Sequence, residues 1–320
     1  MSLPFALPAA GTGPRVICLG AITQDTLFLV PTIPPAPAKL LPSACVRSAA
    51  GMATSAATAA ARLGGQVSLW GRLGDDAIGD AILAELALDG LDLTDVRRVS
   101  GVGSPIATIL IDPMGERLVV PWYDPRLGTD AGWLPLSKVI GAGAVLADVR
   151  WPDGAAALLT AAREAEVPAL LDADVGPPEV LSRLVPLADH ALFSEPALLA
   201  YAGVDDPLEA LRRTAEAHPG LVGVTRGALG FFWHQEGQIR HVDAPAVKAV
   251  DTLAAGDVFH GVYALMIAQG ASVEDSGRLG CVAASLKCTR FGGRLGAPTY
   301  LELLAEVRRL EILQQGAPAR

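Results

Sequence analysis

The chain has 320 residues, 51% hydrophobic and 18% charged, a balance that fits a folded enzyme with a substantial core and excludes a disordered chain. Its formal net charge of -9 excludes nonspecific nucleic-acid binding, which needs a basic face to neutralise phosphates, so any anionic ligand must be held by local dipoles and a few Arg or Lys. Mean hydropathy is +0.38, yet no uninterrupted apolar run approaches about 20 residues, so no membrane span is expected.

The chain starts MSLPFALPAAGTGPR, with no basic segment ahead of an apolar core, so a cytoplasmic protein without a secretory leader is expected. Cys18, Cys45, Cys281 and Cys288 form no CxxC pair and sit mostly in apolar surroundings, which predicts reduced, buried thiols rather than disulfides or a zinc site. Strand candidates follow at 15–22 (RVICLGAI), 66–73, 143–149, 168–175, 190–195 and 221–227. Ala- and Leu-rich helical stretches alternate with them at 51–64, 79–90, 153–166, 206–218, after Gly256 and at 299–315. Such alternation predicts an α/β fold with a mainly parallel sheet covered by helices on both faces. Two segments interrupt it. PTIPPAPAKLLP (31–42) carries too many prolines for a central strand. SPIATILIDPMGERLVVPWY (104–123) reads as two strands around the turn at Asp112 to Gly115. Together they predict a small β flap, at about 31–48 and 104–123, inserted into one α/β body spanning 1–320.

The stretch DTLAAGDVFHGVYAL (251–265) carries the chemistry. Ala254, Ala255 and Gly256 let backbone amides converge where a helix starts, and the unpaired first-turn N–H groups and helix dipole make an anion hole there. The same field is expected to hold Asp257 as the carboxylate, able to accept a hydroxyl proton while the hole holds phosphate charge. Read alone, the stretch is equally an acid at a helix start.

DTLAAGD also resembles the DTxGAGD signature of the ribokinase-like (pfkB) carbohydrate kinase family. Further family features follow in order: GAITQDTLF (20–28), AGMATSAATAAARLG (50–64), GRLGDDAIG (71–79) and VTRGALG (224–230). The resemblance implies a three-layer α/β/α sandwich with a small β lid and an ATP-dependent kinase acting on a hydroxymethyl group of a monosaccharide or sugar-like alcohol. Asp257 would be the catalytic base, with Ala254, Ala255 and Gly256 as the anion hole. Asp25, Gly51 and Ser55 would hold the sugar. Thr225, Gly227, Gly230, Asp251 and Thr252 would lie along the ATP. Mg²⁺ is implied as cofactor, the tail 286–299 resembles a segment that in some members forms a K⁺ loop, and pairing through the lid implies a homodimer.

Three departures stand out. Ala254 replaces a glycine, which is expected to be tolerated because a turn entering a helix can use negative φ. Ser55 stands where the family has Asn. FSEPALLA (193–200) occupies the place of an NxxE motif that organises Mg²⁺, with Ser194 and Ala197 in the key positions; either Glu195 substitutes or the phosphates hold the metal. His260 is expected to be a packed histidine, Asp172 and Asp174 are either ligand-end or loop acids, and Arg290 and Arg294 are expected at the surface. A nucleoside kinase of this fold and a non-catalytic binder remain alternatives. The absence of Gly-Lys, a third Rossmann glycine, HExxH and HRD/DFG sets excludes P-loop, dinucleotide, zincin and protein-kinase readings.

Overall fold

The computed structural model describes residues 11–316, with side chains through residue 312. The N-terminal residues 1–10, which carry most of the leader reading above, lie outside it. In chain order the elements are β1 (Arg15–Leu19), β2 (Thr23–Leu29), β3 (Ala44–Ala50), α1 (Met52–Arg62), β4 (Gln66–Gly74), α2 (Ala77–Ala87), β5 (Val96–Val99), β6 (Ile106–Ile111), β7 (Arg117–Trp122) and β8 (Ala144–Asp148). There follow α3 (Pro152–Glu164), β9 (Ala169–Ala173), α4 (Pro178–Leu184), β10 (His190–Ser194), α5 (Glu195–Ala202), α6 (Pro207–Ala217) and β11 (Leu221–Thr225). The chain closes with β12 (Phe231–Gln235), β13 (Gln238–Val242), α7 (Ala255–Ala268), α8 (Val273–Cys288) and α9 (Tyr300–Gly316).

Nine strands form the central sheet in the order β13-β12-β11-β10-β9-β8-β1-β4-β5. All pair in parallel except the β11-β12-β13 edge. Strands such as AVLAD and ALLDA are buried along their whole length, as a sheet covered on both sides requires. One apolar core lies under α1, α2, α7, α8 and α9, and the other under α3 to α6, giving the expected three layers. From β1 the strand order runs one way to β4 and the other way to β8. Their carboxyl ends therefore diverge at a crevice, where open α/β sheets bind ligands.

A second sheet, ordered β3-β2-β6-β7, covers that crevice. It differs from the expected flap in composition. The proline-rich residues 31–42 form no strand and simply connect β2 to β3, because a proline-dense backbone lacks the donors for a ladder. Instead β2, with Asp25 at its middle, is a lid strand pairing with β3 and β6. The β6–β7 turn is built as its sequence suggests: Asp112 Oδ1 accepts the N–H groups of Met114 (2.9 Å) and Glu116 (3.0 Å), and Gly115 takes φ 83°.

Two features fix the helices around the crevice. The Ala-rich α1 allows α7 to cross it backbone to backbone, and a Cβ on Gly261 would lie 2.0 Å from the Ala56 carbonyl oxygen. Arg294, expected at the surface, is instead 1% exposed. It donates to Ala49 O (2.6 Å) and Thr58 Oγ1 (3.2 Å) and pairs with Glu85 and Asp89, tying the root of β3 to α1 and α2. Such burial is stable because two carboxylates and two hydrogen bonds surround the guanidinium. The cysteines form no disulfide among the described residues. Cys18 and Cys281 are buried, but Cys45 is exposed on β3, against expectation, because that strand edges the lid rather than the core.

Candidate active site

A cavity of about 840 Å³ lies between the lid and the carboxyl ends of the central strands. Residues from four separate stretches of sequence meet there: Asp25, Gly51 with Ser55, Thr225 to Gly227, and 252–257 from Thr252 through the turn.

The turn is the start of α7. Its first intrahelical bond runs from Val258 N–H to Ala254 O (3.0 Å), so the Gly256 and Asp257 amides have no acceptor within the helix. Ala254 adopts φ 63°, ψ 10°, the left-handed region, contrary to the negative φ expected of it. The chain reverses sharply before the helix, and an alanine is held there at a cost of about 1–2 kcal/mol. A Cβ on Gly256 would meet nothing within 4 Å, which leaves the turn open to the cavity.

Asp257 is half-buried at the cavity floor. Its carboxyl is pushed well above the ordinary carboxylate range, first by burial and then by the negative charges of Asp172, Asp174 and Asp148, with Arg117 opposing. Burial and the three neighbouring acids thus oppose the helix dipole that was expected to hold this carboxylate ionised. Its proton affinity suits a base that must take a hydroxyl proton.

Asp25 is 7% exposed, accepts from Thr23 Oγ1 (2.6 Å), and is pushed by burial up to about 6 despite that hydroxyl. Gly51 caps α1 at φ 109°, where a Cβ would collide with Ala21 O at 2.3 Å; only glycine fits. Ser55 lies one helical turn on.

At the other end of the cavity, Thr225 ends β11 and Gly227 (φ 54°) follows. Gly230 does not reach the cavity lining. It takes φ 88° and abuts Val242 O, closing the loop through Arg226 N–H to Gly230 O (2.8 Å). Asp251 is also absent from the lining and is fully buried. Its carboxylate accepts N–H groups from Leu253 (2.8 Å), Gly292 (3.0 Å) and Gly293 (2.8 Å), a strut beneath the turn rather than a nucleotide contact. Thr252 does line the cavity.

Glu195 pairs with Arg226 at 2.5 Å, and Asp174 accepts from Ser194 (2.9 Å) and pairs with Arg150 (2.9 Å). No three-acid cage for a metal occurs among the described residues. Two partly exposed carboxylates fit Mg²⁺ bound mainly through water, as that ion prefers. His260 is 2% exposed with Nδ1 3.0 Å from Asp172 Oδ2, a packed histidine at the cavity wall. Arg290 pairs with Glu302 at 2.7 Å, away from the site.

Sequence reasoning missed two contributors. Arg117, on β7, donates to Thr252 Oγ1 (2.8 Å). Asp148, at the end of β8, accepts the N–H groups of Ala21 (2.7 Å), Ala53 (3.0 Å) and Arg150 (2.8 Å), joining β1, α1 and β8. Its signal was an acid ending an otherwise apolar strand.

The model of the pfkB family carbohydrate kinases matches residues 14–300. The chain belongs to that family. Among curated relatives, the ribokinase of Haemophilus influenzae is 27% identical over 89% of this chain and 96% of its own. The fructokinase of Klebsiella pneumoniae is 31% identical over 69% of this chain and 77% of its own. The crystal structure of "a putative ribokinase" from Agrobacterium tumefaciens superposes with TM-score 0.89 at 43% identity, covering 93% of this chain and 99% of that one. The kinase has a ribokinase fold, and its substrates are sugars.

Proposed function

We propose that this kinase transfers the γ-phosphoryl group of ATP to a hydroxymethyl oxygen of a monosaccharide, with ribose and fructose the first sugars to test. The observation that carries this reading is the meeting of Asp257 and its amide turn with Asp25, Gly51 and Ser55 in one lidded cavity. The ribokinases and fructokinase it resembles favour a free sugar over a nucleoside.

Asp25 and Ser55 hold the sugar by its hydroxyls, placing the reacting oxygen at Asp257. Asp257, ionised when substrate binds, takes the hydroxyl proton as the oxygen bonds to the γ-phosphorus and the bridging bond breaks toward ADP. The Gly256 and Asp257 amides, at the positive end of α7, hold the charge on the transferring oxygens. Thr225, Gly227 and Thr252 seat the rest of the triphosphate. Asp174 and Glu195 would hold Mg²⁺ through water, where it would neutralise phosphate charge. The lid excludes water, so transfer to the sugar outcompetes hydrolysis.

Among the described residues, no helix is long and apolar enough to cross a membrane. The free thiols suit the reducing cytoplasm. The lid face turned away from the cavity exposes Ile106, Leu118, Val120 and Trp122, each 39–58% accessible, an apolar patch that a second lid would cover in a homodimer. Val120→Asp should then shift the dimer to monomer in sedimentation. Coupled ADP release across pentoses, hexoses and nucleosides tests the activity, and absence of turnover with every sugar overturns it.

A further inference from the structure

Lys287, near the end of α8, is 0% exposed. Its ammonium donates to Asp251 O (2.6 Å) and lies 3.1 Å from Asp251 Oδ2. The same carboxylate gathers the Leu253, Gly292 and Gly293 amides, so the ammonium sits at the junction of the catalytic turn with the loop at 290–293. Backbone N–H groups of Val250 and Asp251 donate to Cys288 O (2.8 and 3.2 Å), closing the junction from the α8 side. Burial pulls the Lys287 ammonium below its ordinary pKa, and the Asp251 carboxylate and carbonyl oppose that pull.

A buried carboxylate and a carbonyl converging on one point are the donors a desolvated monovalent cation takes. Here they are satisfied by a covalently attached one. A second cation at the same oxygens would meet the ammonium at contact distance, with only the one Asp251 carboxylate, already paired, to offset two positive charges. The K⁺ loop that the family resemblance allows for residues 286–299 therefore does not fit this chain.

We infer that Lys287 is a positioning residue, the built-in cation that fixes the turn carrying the Gly256 and Asp257 amides, and that this kinase accordingly works without a monovalent cation activator. The inference rests on the kinase reading for its catalytic half only. A turn displaced by about 1 Å costs on the order of 10²-fold in rate.

The test compares wild type with Lys287→Met, in KCl, NH₄Cl or tetramethylammonium chloride at equal ionic strength, the last cation being too large for the site. Wild type should unfold at the same temperature in all three salts and, on its best sugar, turn over at the same rate. Lys287→Met should lose roughly 100-fold in kcat while sugar KM stays within about threefold, because the sugar's contacts lie elsewhere. K⁺ or NH₄⁺ entering the vacated site should raise its unfolding temperature and recover at least about tenfold of the rate. A wild type stabilised or activated severalfold by K⁺ over tetramethylammonium overturns the inference, as does a Lys287→Met with wild-type kcat. If that variant fails to fold, the wild-type salt profile decides alone. A wild type inactive on every sugar overturns the kinase reading, while the unfolding profile still decides the cation question.

Discussion

Arg117, carried by the outermost strand of the lid, donates 2.8 Å to the hydroxyl of Thr252, in the turn that launches the catalytic helix. The lid thus meets the body through a guanidinium that lines the cavity beside Asp257. Arg117 supplies positive charge where an entering phosphoryl group would bring negative charge. Arg117→Ala should lower kcat about 10- to 100-fold. Because Arg117 is exposed, unfolding free energy should change by no more than about 0.5 kcal/mol. Steady-state kinetics beside urea titration separate the two quantities.

Asp257→Asn should abolish most turnover, roughly 10²- to 10⁴-fold in kcat, with little change in nucleotide binding by calorimetry. The same substitution removes one of four converging acids, so its unfolding midpoint above neutral pH should rise rather than fall. Undiminished kcat would remove Asp257 from the reaction.

pH should act on rate and on stability in opposite directions. The acid limb of kcat/KM reports Asp257 in the free enzyme, and burial among acids places that limb above the ordinary carboxylate range; activity rises as pH climbs through it. Asp25 binds its proton more tightly folded than unfolded, at about 6 against 3.8. Its stabilising contribution is present below the unfolded value and lost as pH rises through the folded one, by roughly 3 kcal/mol at most. Asp25→Asn should therefore gain on wild type in unfolding free energy between pH 4 and about 7, a difference read by urea titration at each pH. A difference that is flat with pH would contradict the burial argument.

Ala254→Gly should stabilise the protein by about 1 kcal/mol. Relief of the left-handed alanine exceeds the entropy that glycine adds to the unfolded chain. Catalysis should persist, since the amides keep their places. A loss of stability would mean the alanine methyl contributes packing that outweighs its backbone strain.

Local patterns were legible and long-range ones were not. The parallel strands and the turn at 251–257 announce themselves because hydrophobic runs and small-residue turns are contiguous. α8 was not read as a helix because Gly277 and Gly280 lower its propensity. Those glycines exist to admit Phe231 and Phe259, whose rings lie 2.6 Å from where each Cβ would be. The β12–β13 hairpin was missed although Glu236 and Gly237 both take positive φ, the two-residue turn an EG pair permits. Asp251 and Gly230 sit inside site motifs yet serve the backbone, a distinction only three dimensions reveal. Arg294 violates the surface prior because four partners scattered from residue 49 to 89 surround it.

The crossing of Gly261 over Ala56 makes one rigid block of the helix whose cap faces the sugar and the helix whose first turn holds the base. Acceptor floor and proton acceptor are thereby kept in register without help from the covering sheet. Changes at the lid residues that line the cavity, Ala107, Ile109 and Val119, could thus retarget this scaffold to a different alcohol while the base and its amide turn keep their places.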